Sequence, residues 1–202
     1  VSTCPNAAAY EEEGATTVND ASTAVGDTVV VTTSGAALNV GDIISFSTTA
    51  ATNDYDDGEQ YRITNISTND ITIVQHPRGT GGLKRALTDG SNIRRRWKYY
   101  DAVDGAPGTS TYVSERNGAN DEIHVVVIDE DGGISGVPGT ILETFSKLSK
   151  ASDAKDPQGN DNYYPNVIYT KSEYIYWTKH HASGSNWGNA ASGTTFTAVN
   201  TP

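Results

Sequence analysis

At 202 residues, with 36% hydrophobic and 8% aromatic side chains, the chain can bury one large core or two small ones and lies outside the composition of disordered proteins. Its formal charge of −11 would repel nucleic acid and anionic membrane surfaces, and no apolar run approaches the length that crosses a bilayer. The single cysteine, Cys4, excludes an internal disulfide, and the lack of methionine even at position 1 reads as a processed or truncated piece of a longer protein.

Residues 1 to about 24, opening on Cys4-Pro-Asn-Ala-Ala-Ala-Tyr-Glu-Glu-Glu13, read as loop or short helix with little order. Short β-rich runs follow at Thr28–Thr33, Asp42–Ser47, Glu59–Ile66 and Asp70–Gln75, with Ser67-Thr-Asn-Asp70 as a hairpin turn between the last two. This spacing predicts a small β-barrel or sandwich over residues 1–90. Breakers at Pro77–Gly82 and Thr88–Gly90 close it, and the charge changes there: 12 acidic and 4 basic residues precede the boundary, 13 and 10 follow it. Residues 91–202 read as a second domain. It opens on Arg94-Arg-Arg-Trp-Lys98, a basic cluster against the chain's sign, and runs into Tyr99-Tyr100 as a strand candidate. On a strand, Arg94, Arg96 and Lys98 share one face and Arg95 the other, a pattern that suits either a solvated face or contact with an acidic neighbouring subunit. A strand is expected at Thr111–Glu115.

The organising stretch is Asp121–Trp177. Glu122-Ile-His-Val-Val-Val-Ile-Asp129 is apolar on both alternating faces, as a strand covered on each side would be. His124 within it reads as a hydrogen-bonded core histidine. After a turn at Glu130–Gly133, Thr140 and Glu143 form a capping box for a helix from about Ile141. That helix would bury Ile141, Leu142, Phe145 and Leu148 and expose Glu143, Ser146, Lys147 and Lys150. A loop over Ser152–Asn162, a short helix over Tyr163–Lys171 with Pro165 in its first turn, and a strand at Tyr174–Trp177 follow. The expected class is therefore mixed α/β or α+β, a strand–helix–strand crossover unit behind the β-rich domain. Ala182–Pro202 reads as an extended loop ending in a strand at Thr195–Val199.

Catalytic signatures are weak. Asp54, Asp56 and Gly58 lack the later ligands of a calcium loop, and Asp129-Glu-Asp131 reads as an acidic turn rather than a cation site. His180-His181 has no third ligand nearby and reads as surface loop. A hydrolase using either histidine with Asp153 or Asp156 is the least favoured function. Nucleophile elbow, phosphate loop and dinucleotide fingerprint are all missing from the sequence, so neither an enzyme nor a cofactor or metal is expected. A β-rich adhesion module recognising a surface glycan or protein, with Tyr163, Tyr164, Tyr174, Tyr176 and Trp177 as a stacking surface, is the alternative from another class.

Five stretches carry a resemblance: Ala106-Pro-Gly-Thr-Ser110, Asn120-Asp-Glu-Ile-His-Val-Val-Val-Ile-Asp-Glu-Asp-Gly132, Ser135-Gly-Val-Pro-Gly-Thr-Ile-Leu-Glu143, Leu148-Ser-Lys-Ala-Ser-Asp-Ala-Lys155 and Asn162-Tyr-Tyr164. In this order they resemble the tail sheath proteins of contractile-tailed (myovirus) bacteriophages, over about two fifths of the chain. The resemblance implies a structural, non-catalytic virion subunit, assembled in the host cytoplasm, that polymerises around a tail tube and contracts to drive the tube through the host envelope. It implies other sheath copies, the tube protein and the baseplate and tail terminator proteins as partners, with no nucleic acid and no membrane. Residues 1–90 would be an outward insertion. The terminal arms that join sheath subunits by strand addition have no counterpart in this sequence, so the piece alone would be monomeric. Arg94, Arg95, Arg96 and Lys98 are the candidate subunit contact.

Overall fold

The computed structural model describes residues 1–49, 51–52, 54–55, 58–179 and 186–197. Its elements run β1 (Ser2–Cys4), α1 (Ala7–Tyr10), β2 (Glu11–Thr17), β3 (Val29–Val31), β4 (Ile43–Phe46), β5 (Gln60–Ser67), β6 (Asp70–His76), β7 (Asn92–Arg96), α2 (Thr111–Ser114), β8 (Glu122–Asp129), β9 (Thr140–Ser149) and α3 (Tyr164–Lys171). The chain divides into two units, one of Val1–Tyr10 with Tyr99–Pro202 and one of Glu11–Lys98. The β-rich unit is thus continuous in sequence, takes in the basic cluster, and interrupts the other unit.

In the Glu11–Lys98 unit, six strands form one antiparallel sheet in the order β2-β7-β4-β5-β6-β3. The β5–β6 hairpin turns at Thr68 and Asn69 between the paired Ser67 and Asp70, with Thr68 at a positive φ of 57°. Along β5, Tyr61 and Ile63 point inward, and a bulge between Ile63 and Asn65 returns Ile66 to the same apolar side. Val30, Ile44, Phe46, Ile71, Ile73 and Ile93 complete that core from the other strands. The edge strands approach at one end through a single bridge, Val18 to Thr32, beside an Asn19 amide that donates to the Val31 carbonyl at 2.9 Å. The sheet curls there without closing, so it is neither the barrel nor the sandwich that the strand spacing suggested.

The other unit holds a three-stranded antiparallel sheet, β1-β8-β9. Here the expected crossover fails. The segment from Thr140 to Ser149 is a strand in a hairpin with β8, not a helix, and Tyr174–Trp177 has no regular structure. The reason lies in the register. Ile123 faces Leu148 while Val125 faces Phe145, and Val127 faces Glu143 while Ile128 faces Ile141, so β9 carries one extra residue at each of two places. Two bulges stretch an alternating pattern into spacings of four and three, which on paper imitate one face of a helix. Lys147, at φ 52°, sits in the first of them.

Both faces of β8 are covered, as its composition required. Ile123 and Val125 pack with Leu148, Tyr164, Val167 and Ile168. On the opposite face His124 is fully buried: its Nδ1 accepts from the Lys147 amide at 3.0 Å, which leaves Nε2 protonated to donate to the Gly105 carbonyl at 2.9 Å. Burial lowers the pKa of His124, in keeping with this neutral tautomer. Residues Thr111–Ser114 are helical rather than extended, because the Ser110 hydroxyl caps them by accepting from the Val113 amide at 3.3 Å. α3 forms over the expected residues, with Pro165 in its first turn.

Candidate interaction surfaces

The frame of the β1-β8-β9 unit is a polar network around the buried Asp121 and Lys150. Asp121, just before β8, accepts from the Ser110 amide at 2.8 Å and the Ser110 hydroxyl at 2.9 Å, and also from the Ser149 hydroxyl. Glu122 accepts from the Gly108 amide at 2.8 Å, and the Thr109 hydroxyl oxygen accepts from the Asn120 amide at 2.8 Å. Lys150, expected on a solvated helix face, is instead almost completely buried. Its ammonium donates to the carbonyls of Pro5 at 2.6 Å and Asn120 at 2.8 Å and lies 5.3 Å from the Trp187 ring centre. Burial pulls its pKa down to about 8, against the opposing charge of Asp121.

Beside this frame lies an apolar groove of about 540 Å³. Val1, Thr3 and Pro5 line it from the β1 segment and Ile123 and Val125 from β8, while Tyr164 and Ile168 come from α3. The aromatic segment Tyr174–Trp177, Lys179 and Trp187 complete it. The rings are ordered by edge-to-face contacts: Tyr164 meets Trp187 at 5.7 Å and Trp177 at 6.4 Å, and the Trp177 indole donates to the Tyr164 hydroxyl at 3.0 Å. Burial raises the Tyr164 phenol to about 12. Tyr174–Trp177 is fixed without being a strand, because Glu143 of β9 accepts from the Ser172 hydroxyl and from the Glu173 amide at 2.8 Å, and the Ser172 hydroxyl oxygen accepts from the amides of Tyr174 and Ile175. Glu143 therefore anchors the groove wall rather than capping a helix. Tyr176 is 74% exposed, and Lys179 is also exposed. Of the five residues proposed as a stacking surface, Tyr164, Tyr174, Tyr176 and Trp177 line the groove, and Tyr163 packs edge-on against Tyr164.

At the β8–β9 turn the chain makes a knob. Buried Asp129 accepts from the Ile134 amide at 3.0 Å and from the Ser135 amide and hydroxyl at 2.6 and 2.7 Å, and these bonds hold its carboxyl below the usual carboxylate range. Asp131 accepts from the Gly133 amide. Asp129 and Asp131 thus accept from within their own loop, and among the described residues no group of three or more His, Cys, Asp or Glu is arranged to hold a metal. Tied down in this way, the loop presents Ile134 and Val137 to solvent, 62% and 61% exposed.

The basic cluster sits on β7 beside β2. Arg96 makes a two-pronged contact with Glu11, Nε to Oε2 at 2.9 Å and Nη2 to Oε1 at 3.3 Å. Arg94 lies 3.4 Å from Glu11 and stacks over the Tyr55 ring at 4.5 Å. Arg95 pairs with Glu12 at 2.9 Å and approaches buried Asp42 at 3.9 Å. The alkyl stem of Lys98 packs on Gly41. The three arginines thus bond within their own unit, chiefly to Glu11 and Glu12 of a segment whose sequence alone reads as poorly ordered.

Two of the remaining chemical candidates accept from backbone amides. Asp153 accepts from the Ala191 amide and Asp156 shapes the 156–160 turn. His180, His181 and Asp56 lie outside the described residues, as does the end of the strand expected at Thr195–Val199, of which Thr195 forms a single parallel bridge to Ala119. No described helix is long and apolar enough to cross a membrane. Comparison of the chain with protein-family models, with curated proteins and with solved structures gave no match.

Proposed function

We propose that the chain is a structural subunit of a contractile phage tail sheath, polymerising around a tail tube and contracting to drive it through the host envelope. The observation that carries this reading is what the resembling residues do. Ser110, Asp121, Glu122, Asp129, Ser135, Glu143, Ser149, Lys150 and Tyr164 all fall in the five stretches, and together they make the polar frame, the knob and the groove wall of one unit. The likeness therefore falls on the hydrogen-bonded frame of the unit. A sheath needs subunits that move as rigid bodies while their mutual contacts are remade, so its working surfaces lie between copies. On this reading the partners are further copies, the tube protein and the baseplate and terminator proteins, the place of action is the virion after assembly in the host cytoplasm, and the role is mechanical rather than catalytic. Antibodies raised against this chain and carried on gold should decorate virions bearing this sequence along the whole tail shaft. Label confined to the capsid or the fibre tips would contradict it.

A second reading, an adhesion module, is favoured by the gathering of Tyr164, Tyr174, Tyr176, Trp177 and Trp187 around one groove. Of these rings Tyr174 and Tyr176 are exposed, and an exposed ring offers a stacking face to sugars and peptides alike. Selective retention on a glycan array, lost on Tyr176→Ala, would support it.

A further inference from the structure

We infer that the β8–β9 knob of one copy seats Ile134 and Val137 in the aromatic groove of the next, joining copies head to tail. The knob and the groove belong to the same unit, yet neither Ile134 nor Val137 is among the groove's lining residues. One is an apolar protrusion held rigid by Asp129, so that little order is lost on docking; the other is an apolar recess whose wall is held by Glu143. Ile141, 40% exposed, extends the apolar strip from the knob along β9.

Charge names the occupant. The knob is flanked by exposed Glu130 and Asp131, and among the described residues the charged side chain lining the groove is Lys179. Copies of a chain carrying −11 repel one another over most of their surface, so a local pairing of acid with base selects this orientation over others. The contact is heterologous, using different patches on the two copies, and each copy keeps a free knob at one end and a free groove at the other. Such contacts build rings or open helical series rather than closed dimers. The inference rests on the sheath reading only in taking a second copy as the partner.

The test is sedimentation of the purified chain over a wide concentration range. Two variants each change one surface at exposed positions: I134D with V137D blocks the knob, and Y176D with K179E blocks the groove. Against the expectation that a piece without terminal arms is monomeric, the wild-type average mass should climb with concentration, and either variant should need at least about tenfold more protein to associate. An equimolar mixture of the two variants should form one-to-one dimers that grow no further, since each supplies the surface that the other lacks. Circular dichroism and unchanged melting establish that both variants fold. The inference is overturned if the wild type stays monomeric throughout, if either variant associates like the wild type, or if the mixture does not pair. A monomeric wild type whose tryptophan fluorescence is quenched by a chito-oligosaccharide would hand the groove to a glycan. Decoration of the tail shaft by antibody is unaffected by any of these results, so failure here is distinct from failure of the sheath reading.

Discussion

The ammonium of Lys150 donates to the carbonyl oxygen of Pro5 at 2.6 Å, across 145 positions of sequence. This bond and its companion to Asn120 lock the end of β1 to the end of β9 from inside the core. Lys150→Met would leave the buried Pro5 carbonyl and the partly buried Asn120 carbonyl without their donor, at a cost of about 1–3 kcal/mol after the relief of burying a charge is counted. The pH dependence separates the two effects. With a folded pKa of about 8 against 10.5 for the free side chain, the unfolded chain holds more protons between those values, so this group makes stability rise with pH across that window. Urea midpoints at pH 7.5 and 10 should show a rise in the wild type that is smaller in the variant; equal slopes would contradict the assignment.

Asp42 carries the opposite sign. Burial lifts its carboxyl from 3.8 to about 6 despite the Asn39 amide and Arg95, so between those values the folded chain holds more protons, and this group's contribution to stability grows as pH falls. Asp42→Asn keeps an oxygen for the Asn39 amide and removes the charge. Its stability relative to the wild type should be more favourable at pH 7.5 than at pH 4.5. A difference that does not change with pH would contradict this.

The bulge at Lys147 is open to a direct test. A lysine at φ 52° bears a strain that glycine does not, so Lys147→Gly should raise stability by about 0.5–1 kcal/mol, while Lys147→Val should lower it by about 1–2 kcal/mol. The amide that serves His124 is kept in both variants. Thermal melting reads the order of the three proteins, and a destabilising glycine would argue against the bulge.

Asp129→Ala should free the knob without unfolding the sheet. Amide exchange at Ile134 and Ser135 should quicken by at least about tenfold while Val125 and Val126 of β8 keep their protection. Because its hydrogen bonds hold the Asp129 carboxyl below the usual range, the wild-type loop should stay protected at pH 4. Unchanged exchange in the variant would mean that something else holds the loop.

How far the sequence could be read depended on how far each segment's pattern was its own. The start of β5, up to its bulge after Ile63, and the start of β6 follow a plain alternation on either side of turn residues, and β8 declares its burial on both faces. β9 misleads because two bulges give its apolar residues a helical period, and Glu143, which looks like a capping residue, accepts from the Ser172 hydroxyl and the Glu173 amide instead. β2 is invisible alone: Glu11-Glu-Glu-Gly-Ala-Thr-Thr17 becomes a strand because Arg95 and Arg96 lie opposite Glu12 and Glu11. The same acids account for the arginine cluster, which composition could only mark as unusual. Burial of Lys150 had one faint signal, its place between Leu148-Ser149 and Ala151 in a run with no other charge.

The central claim, that this chain works as a mechanical brick in a tail sheath, is tested most directly by electron cryo-microscopy of virions that carry it. The account predicts helically repeated density around a central tube into which the β1-β8-β9 unit fits in every subunit. Density for the unit only at fibre tips or on the capsid, or a shaft built wholly of other chains, would contradict it.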